Sequence, residues 1–141
     1  MTAVANGRPE AHGAEVQLFA GDHIVVGDTA DALIMRAGFA AEVNGILTRC
    51  LLRAPIILSM GRQREWIFIT QARTSLRPVA WTDLVRIQVG WLPVGTVIPL
   101  PGVEDTGERR WLQRPVFGEC LPPWTAVVSA ARSASSVCGT W

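Results

Sequence analysis

Asp22, His23, Asp28 and Asp31 form the one local set in the chain with metal-ligand chemistry: carboxylates suit hard divalent ions, and an imidazole suits zinc or general-base work. The same residues also read as local architecture, with Asp22 making a turn, His23 starting a strand and Asp28 or Asp31 capping a helix. Glu104, Asp105 and Glu108 are a second acidic group, but their Gly and Thr neighbours mark a solvated loop. A third group is arginine and tryptophan: Arg62, Arg64, Trp66, Arg109, Arg110 and Trp111, placed near two turns. Arginine's planar fork grips phosphate or carboxylate with two bonds, and an indole stacks a base or another flat ring. These six are the expected ligand-binding residues.

Nucleophilic catalysis finds less support. Ser59, Cys50, His23 and Asp83 can be assembled on paper, but there is no Gly-x-Ser-x-Gly elbow, and Ser59 lies in an apolar run. There is likewise no Gly-x-Gly-x-x-Gly and no phosphate loop with a lysine, which removes the usual dinucleotide and nucleoside triphosphate readings. Cys50, Cys120 and Cys138 are odd in number, far apart and without Cys-x-x-Cys spacing, so neither a disulfide framework nor a structural zinc site is expected. A reducing cytoplasm fits best, with Cys50 on an apolar helix face and Cys138 in a small-residue tail. No catalytic residue, metal or cofactor is assigned.

The 141 residues are 49% hydrophobic and 18% charged, enough apolar side chain for one domain with its own core. With 13 basic and 12 acidic residues the net charge is +1, so no global field draws nucleic acid or anionic membrane, and any anion site must be local. Every basic residue is arginine and tyrosine is missing, a bias first ascribed to a GC-rich genome. The N-terminus has no basic region followed by a long apolar run, and the richest apolar stretch, Ala30 to Leu52, is interrupted by Asp31, Arg36, Glu42, Asn44 and Arg49, so neither a signal peptide nor a membrane span is expected.

The elements follow from periodicity. Residues 1–13 lack it and should be disordered; residues 14–133 should form a single α+β domain, and 134–141 a flexible tail. Val16 and Leu18, then Ile24, Val25 and Val26, suggest strands around Gly21-Asp22. Asp28 or Thr29 then caps a helix lined by Leu33, Phe39, Val43, Ile46, Leu47, Cys50 and Leu51 and ended at Arg53-Ala54-Pro55. Ile56 to Met60 and Trp66 to Ile69 predict a buried hairpin central to the sheet, and Trp81 to Ile87 a short helix. Thr96 to Leu100 reads as a strand that Pro99 confines to an edge, Gly102 to Glu108 as a loop, and Arg110-Trp111-Leu112 as a short partner strand. Leu121-Pro122-Pro123-Trp124 opens a last helix running to about Arg132. The sheet should be mixed or mainly antiparallel, packed with one long helix and a C-terminal helix.

From about Ala54 to Leu112 the chain resembles the primase-polymerase superfamily, in its bacterial and phage bifunctional DNA primase/polymerase branch. Ile56 to Thr70 has the family's strand, Gly-Arg turn and aromatic-aliphatic strand. Gly95-Thr96-Val97-Ile98-Pro99-Leu100-Pro101-Gly102, Gly107 and Trp111 follow its strand, proline loop, glycine and tryptophan strand. The departures are specific. No Asp-x-Asp or Asp-x-Glu ends an early strand, Trp66 stands where the nucleotide-contacting histidine would fall, and Gly102 replaces the serine of the Pro-Pro-Ser loop. Phosphoryl transfer depends on metal ions that those acids hold, so the resemblance implies a noncatalytic relative. The expected role is a binding or regulatory module for a protein partner or a small anionic ligand. Two alternatives remain: an enzyme of different chemistry acting on a small metabolite through His23 or Glu65, and single-stranded nucleic-acid binding, which the near-zero charge disfavours. The edge strand of Pro99 or a tryptophan patch would serve a homodimer.

Overall fold

The computed structural model describes residues 21–61, 63–102, 108–116 and 118–138. In chain order the elements are β1 (His23–Val25), β2 (Ala30–Arg36), α1 (Ala37–Arg49), β3 (Ile56–Ser59), β4 (Glu65–Gln71), α2 (Pro78–Arg86), β5 (Gly90–Trp91), β6 (Val97–Pro99), β7 (Arg109–Gln113) and α3 (Trp124–Cys138). Among the described residues, five strands make an antiparallel sheet in the order β5-β2-β4-β3-β7, and β1 and β6 pair separately as a ribbon. The α+β class and the largely antiparallel sheet are as expected. The β3–β4 hairpin lies inside the sheet, with Ile57 opposite Ile67 and Ile56 opposite Phe68.

Each face of the sheet has its own core. Leu33, Met35, Ile56 and Phe68 pack against Val43 and Leu47 of α1, Leu84 of α2, and Trp124 and Val127 of α3. On the other face Ile24, Val26 and Ile98 of the ribbon region cover Ala30, Ala32, Ile57, Ile67 and Ile69. The small Ala30 and Ala32 let the ribbon approach closely. Gly27, at φ +93°, completes the turn out of β1; a Cβ there would meet a Val94 methyl at 2.7 Å.

Three local readings need correction. Ala30–Arg36 is a strand, not the start of a helix: it pairs with β4 along its whole length and is covered on both sides, so its apolar residues run on without alternation and imitate a buried helix. Asp31 therefore caps nothing, and α1 begins only at Ala37. Cys50 and Leu51 do not line the helix face. Cys50 is the exposed C-cap, and Leu51, at φ 61°, is 94% exposed. The last helix continues past Arg132 to Cys138, with Ala134 and Ser135 buried, so the frayed tail does not start at 134. Residues 1–20, on which Val16, Leu18 and the disordered lead-in fall, lie outside the described residues, as do most of the Gly102–Glu108 loop and the side chain of Cys138.

Pairing also differs: the Arg110-Trp111-Leu112 strand, expected as partner of the Thr96 to Leu100 strand, pairs with β3, while β6 pairs with β1, and Gly90–Trp91 adds an unforeseen short strand on β2. The prolines fall where expected. Pro78 opens α2, Pro122 and Pro123 precede α3, and Pro99 sits in the ribbon, outside the main sheet. β7 pairs with β3 at the sheet edge, with an irregularity between Ile56 and Ile57. Gln113 reaches α1, accepting from Asn44 Nδ2 at 3.1 Å and donating to the Ala54 carbonyl at 2.7 Å. Among the described residues no helix is long and apolar enough to cross a membrane.

α1 ends in a Schellman arrangement: Leu52 N–H donates to the Leu47 carbonyl at 2.8 Å and Leu51 N–H to Thr48 at 3.0 Å. Leucine occupies the left-handed position that glycine normally fills, at a steric cost of about 1–2 kcal/mol. Because the Leu51 side chain buries almost nothing, Leu51→Gly should raise stability by about 0.5–1 kcal/mol after the entropic cost of glycine. Urea unfolding of the two proteins checks it.

Candidate functional site

Asp31 is the only fully buried acid among the described residues, and it is saturated with donors. Arg73 holds it with both arms of its guanidinium, Nε to Oδ2 at 2.7 Å and Nη2 to Oδ1 at 2.9 Å. The Ala32 and Arg73 backbone N–H groups add bonds of 2.8 and 3.3 Å. Arg73 also donates to the Leu92 carbonyl and lies over the Trp124 ring, 5.1 Å from its centroid. Trp124 stands in a row with Trp81 and Trp91, ring centroids 6.2 and 4.7 Å apart. One carboxylate thus ties β2 to the segment after β4, to the chain leaving β5 and to the start of α3. Position 33, which shares the helix face of β2 with Asp31, is a buried leucine.

Breaking such a pair from one side strands a charge, whereas removing both charges does not. Arg73→Met should therefore cost about 3–5 kcal/mol, and adding Asp31→Leu should recover most of the loss. Urea denaturation of both single variants and the double variant measures the coupling.

Of the six residues expected to bind ligand, the five that are described are not gathered into one pocket. Trp66 pairs across β3 through Leu58 with Arg110, while Trp111 pairs with Ile57, one residue out of step. Successive strand residues face opposite sides, so the two indoles are divided by the sheet. Trp66 is half-buried on the helix core, 6.3 Å from the Phe68 ring, and Trp111 packs on the ribbon core. Arg109 and Arg110 are exposed and adjacent in β7, and so divided in the same way; Arg64 is exposed. Arg62 lies outside the described residues. The Asp22, His23, Asp28 and Asp31 set is likewise dispersed. Asp22 and His23 pair at 2.8 Å in the open, where the histidine's hydrogen bond lowers the Asp22 carboxyl below its usual range, and Asp28 is exposed in a turn. Among the described residues, no three His, Cys, Asp or Glu side chains gather closely enough to hold a metal ion.

The sheet does build a cleft, at a place the motifs did not mark. Where β2 passes straight into α1, Arg36 is both the last strand residue and the helix N-cap. It lines a hollow of about 450 Å³ with Gly38, Phe39, Ile87 and Gln88. A second hollow of about 360 Å³ shares Arg36 and Gln88 and is completed by Ile34, Gln63, Glu65 and Gly90. Gln88 reaches it because α2 also ends in a Schellman turn: Gln88 has φ 65°, and Val89 N–H donates to Leu84 at 2.9 Å. Arg36 and Glu65 are directly opposed on antiparallel strands, yet they form no ion pair with each other or with another described residue. The first turn of α1 carries no acid and no side-chain cap, so its positive end adds to the Arg36 charge. In sequence, Arg36 is visible only as an interruption of an apolar run; its place at a strand–helix junction emerges once β2 is known to be a strand.

Fold and site together define a small α+β domain with two adjoining hollows at one end of its sheet, lined by one arginine, one glutamate and apolar side chains. No family model, curated protein or solved structure matches the chain.

Proposed function

We propose that this chain is a noncatalytic primase/polymerase-like domain that serves as a binding or regulatory module for a small anionic ligand, held in the cleft at Arg36. The observation that carries the reading is the uncommitted Arg36 guanidinium, walled by Phe39 and Ile87 and joined by the Gln88 carboxamide. A concave site with apolar walls and a few converging polar groups is the usual form of a small-molecule pocket. The noncatalytic part is supported by Asp31. The acid on the early strand is bonded to Arg73 and the backbone, with a leucine beside it on the same face, so the strand offers no pair of free carboxylates for divalent ions. The hollow lined by Arg36, Gly38, Phe39, Ile87 and Gln88 presents a guanidinium and no carboxylate, which favours an anionic group there.

Two assays test this. Phenyl phosphate and 3-phenylpropionate should each raise the melting temperature, and Arg36→Gln should weaken their binding on the order of ten- to a hundredfold, as loss of a charge-assisted bond predicts. Calorimetric titration reads the affinities; equal binding by the variant would remove the ligand from Arg36. Primer extension with manganese and deoxynucleotides should give no product, and extension by the purified protein would end the noncatalytic reading.

A further inference from the structure

The second hollow narrows the class of anion. Arg36 and Glu65 face one another across neighbouring strands, and both line it. Opposed charges at such positions ordinarily close on each other, since directly paired residues have Cβ atoms about 4.5–5.5 Å apart. Here neither is paired with any described residue, and the first hollow opens beside them with an apolar wall of Phe39 and Ile87. A simple anion would satisfy Arg36 and leave Glu65 facing it with the same sign of charge. A ligand carrying both charges and an apolar tail would satisfy all three features.

We propose that the cleft takes an apolar α-amino acid: its carboxylate on Arg36, its ammonium on Glu65, and its side chain against Phe39 and Ile87. This rests on the anion reading of Arg36 and deepens it. Gln88, with a donor and an acceptor on one carboxamide, is placed to serve either charged end. Gly38 forms part of the apolar hollow, and a Cβ added there meets no atom within 4 Å, so the space beside it is open to a side chain of the ligand.

Calorimetric titration of the full chain with L-phenylalanine, 3-phenylpropionate and phenethylamine tests the proposal, because the three share a ring and differ in charge. L-phenylalanine should bind on the order of tenfold tighter than 3-phenylpropionate, the gain of one charge-assisted contact. Glu65→Gln should bring the two to similar affinity, and Arg36→Gln should weaken both. Gly38→Leu, which fills open space and raises helix propensity, should block both without lowering stability in urea unfolding. Equal binding of the amino acid and the plain acid, unaffected by Glu65→Gln, would overturn the zwitterion proposal and leave the anion reading standing. Tighter binding of phenethylamine than of either acid, or no binding of any of the three, would overturn both.

Discussion

The Asp31–Arg73 pair is the constraint on which the rest of the arrangement depends. A carboxylate wholly removed from water is tolerated only with its lone pairs filled, and here two guanidinium N–H groups and two backbone N–H groups fill them. The requirement fixes more than one residue. Arg73 must come back over the end of β2, Leu92 must present its carbonyl, and Trp124 must lie under the guanidinium. It also opposes a register slip. Moving β2 by one residue would turn Asp31 toward the ribbon core, where Ile24, Val26 and Ile98 have no side-chain donor to offer it.

With β2 held in that register, the position of Arg36 follows. The strand runs out to Arg36 opposite Glu65, and the chain enters α1 with no intervening loop, the Ala37 N–H donating to the Arg64 carbonyl at 3.1 Å. The cleft is therefore built on the ends of rigid elements: a strand end, a helix start and the Schellman turn of α2. Such positions hold side chains more precisely than a long loop does. The left-handed backbone of Gln88 belongs to that turn and needs no separate functional cause, since the same motif recurs at Leu51, which is 94% exposed.

Much of this was legible in the residues. The β3–β4 hairpin, the short helix at Trp81, the proline-led last helix and the edge strand of Pro99 each carry a local signal that tertiary structure did not override. Ala30–Arg36 carries the wrong one, because a strand covered on both faces loses the period-two pattern that distinguishes strands from helices. The described residues of the arginine and tryptophan set are spread over both faces of the sheet for a different reason. Proximity in sequence to two turns says nothing about which face a strand residue takes, and that is decided by pairing across β3, where Trp66 meets Leu58 and Trp111 meets Ile57. Glu65 was singled out in sequence as a potential acid or base; only the register placed it opposite Arg36.

The electrostatics of the cleft bear on how a nearly neutral chain would select a charged ligand of the kind proposed. A net charge of +1 gives no long-range pull, and exposed charges more than about 8–10 Å apart are screened at physiological salt. Selection must come from groups in contact with the ligand. Arg36 and the uncapped start of α1 supply positive potential at one end, while Glu65 on the facing strand supplies negative potential beside it. Two opposite charges held side by side on a stiff sheet repel a plain polyanion such as a nucleic-acid backbone from one side while attracting it from the other. The same pair attracts a zwitterion with both ends. Under the proposed reading, the arrangement that weakens the nucleic-acid alternative is the same one that would favour a small dipolar ligand, without any change in the total charge of the protein.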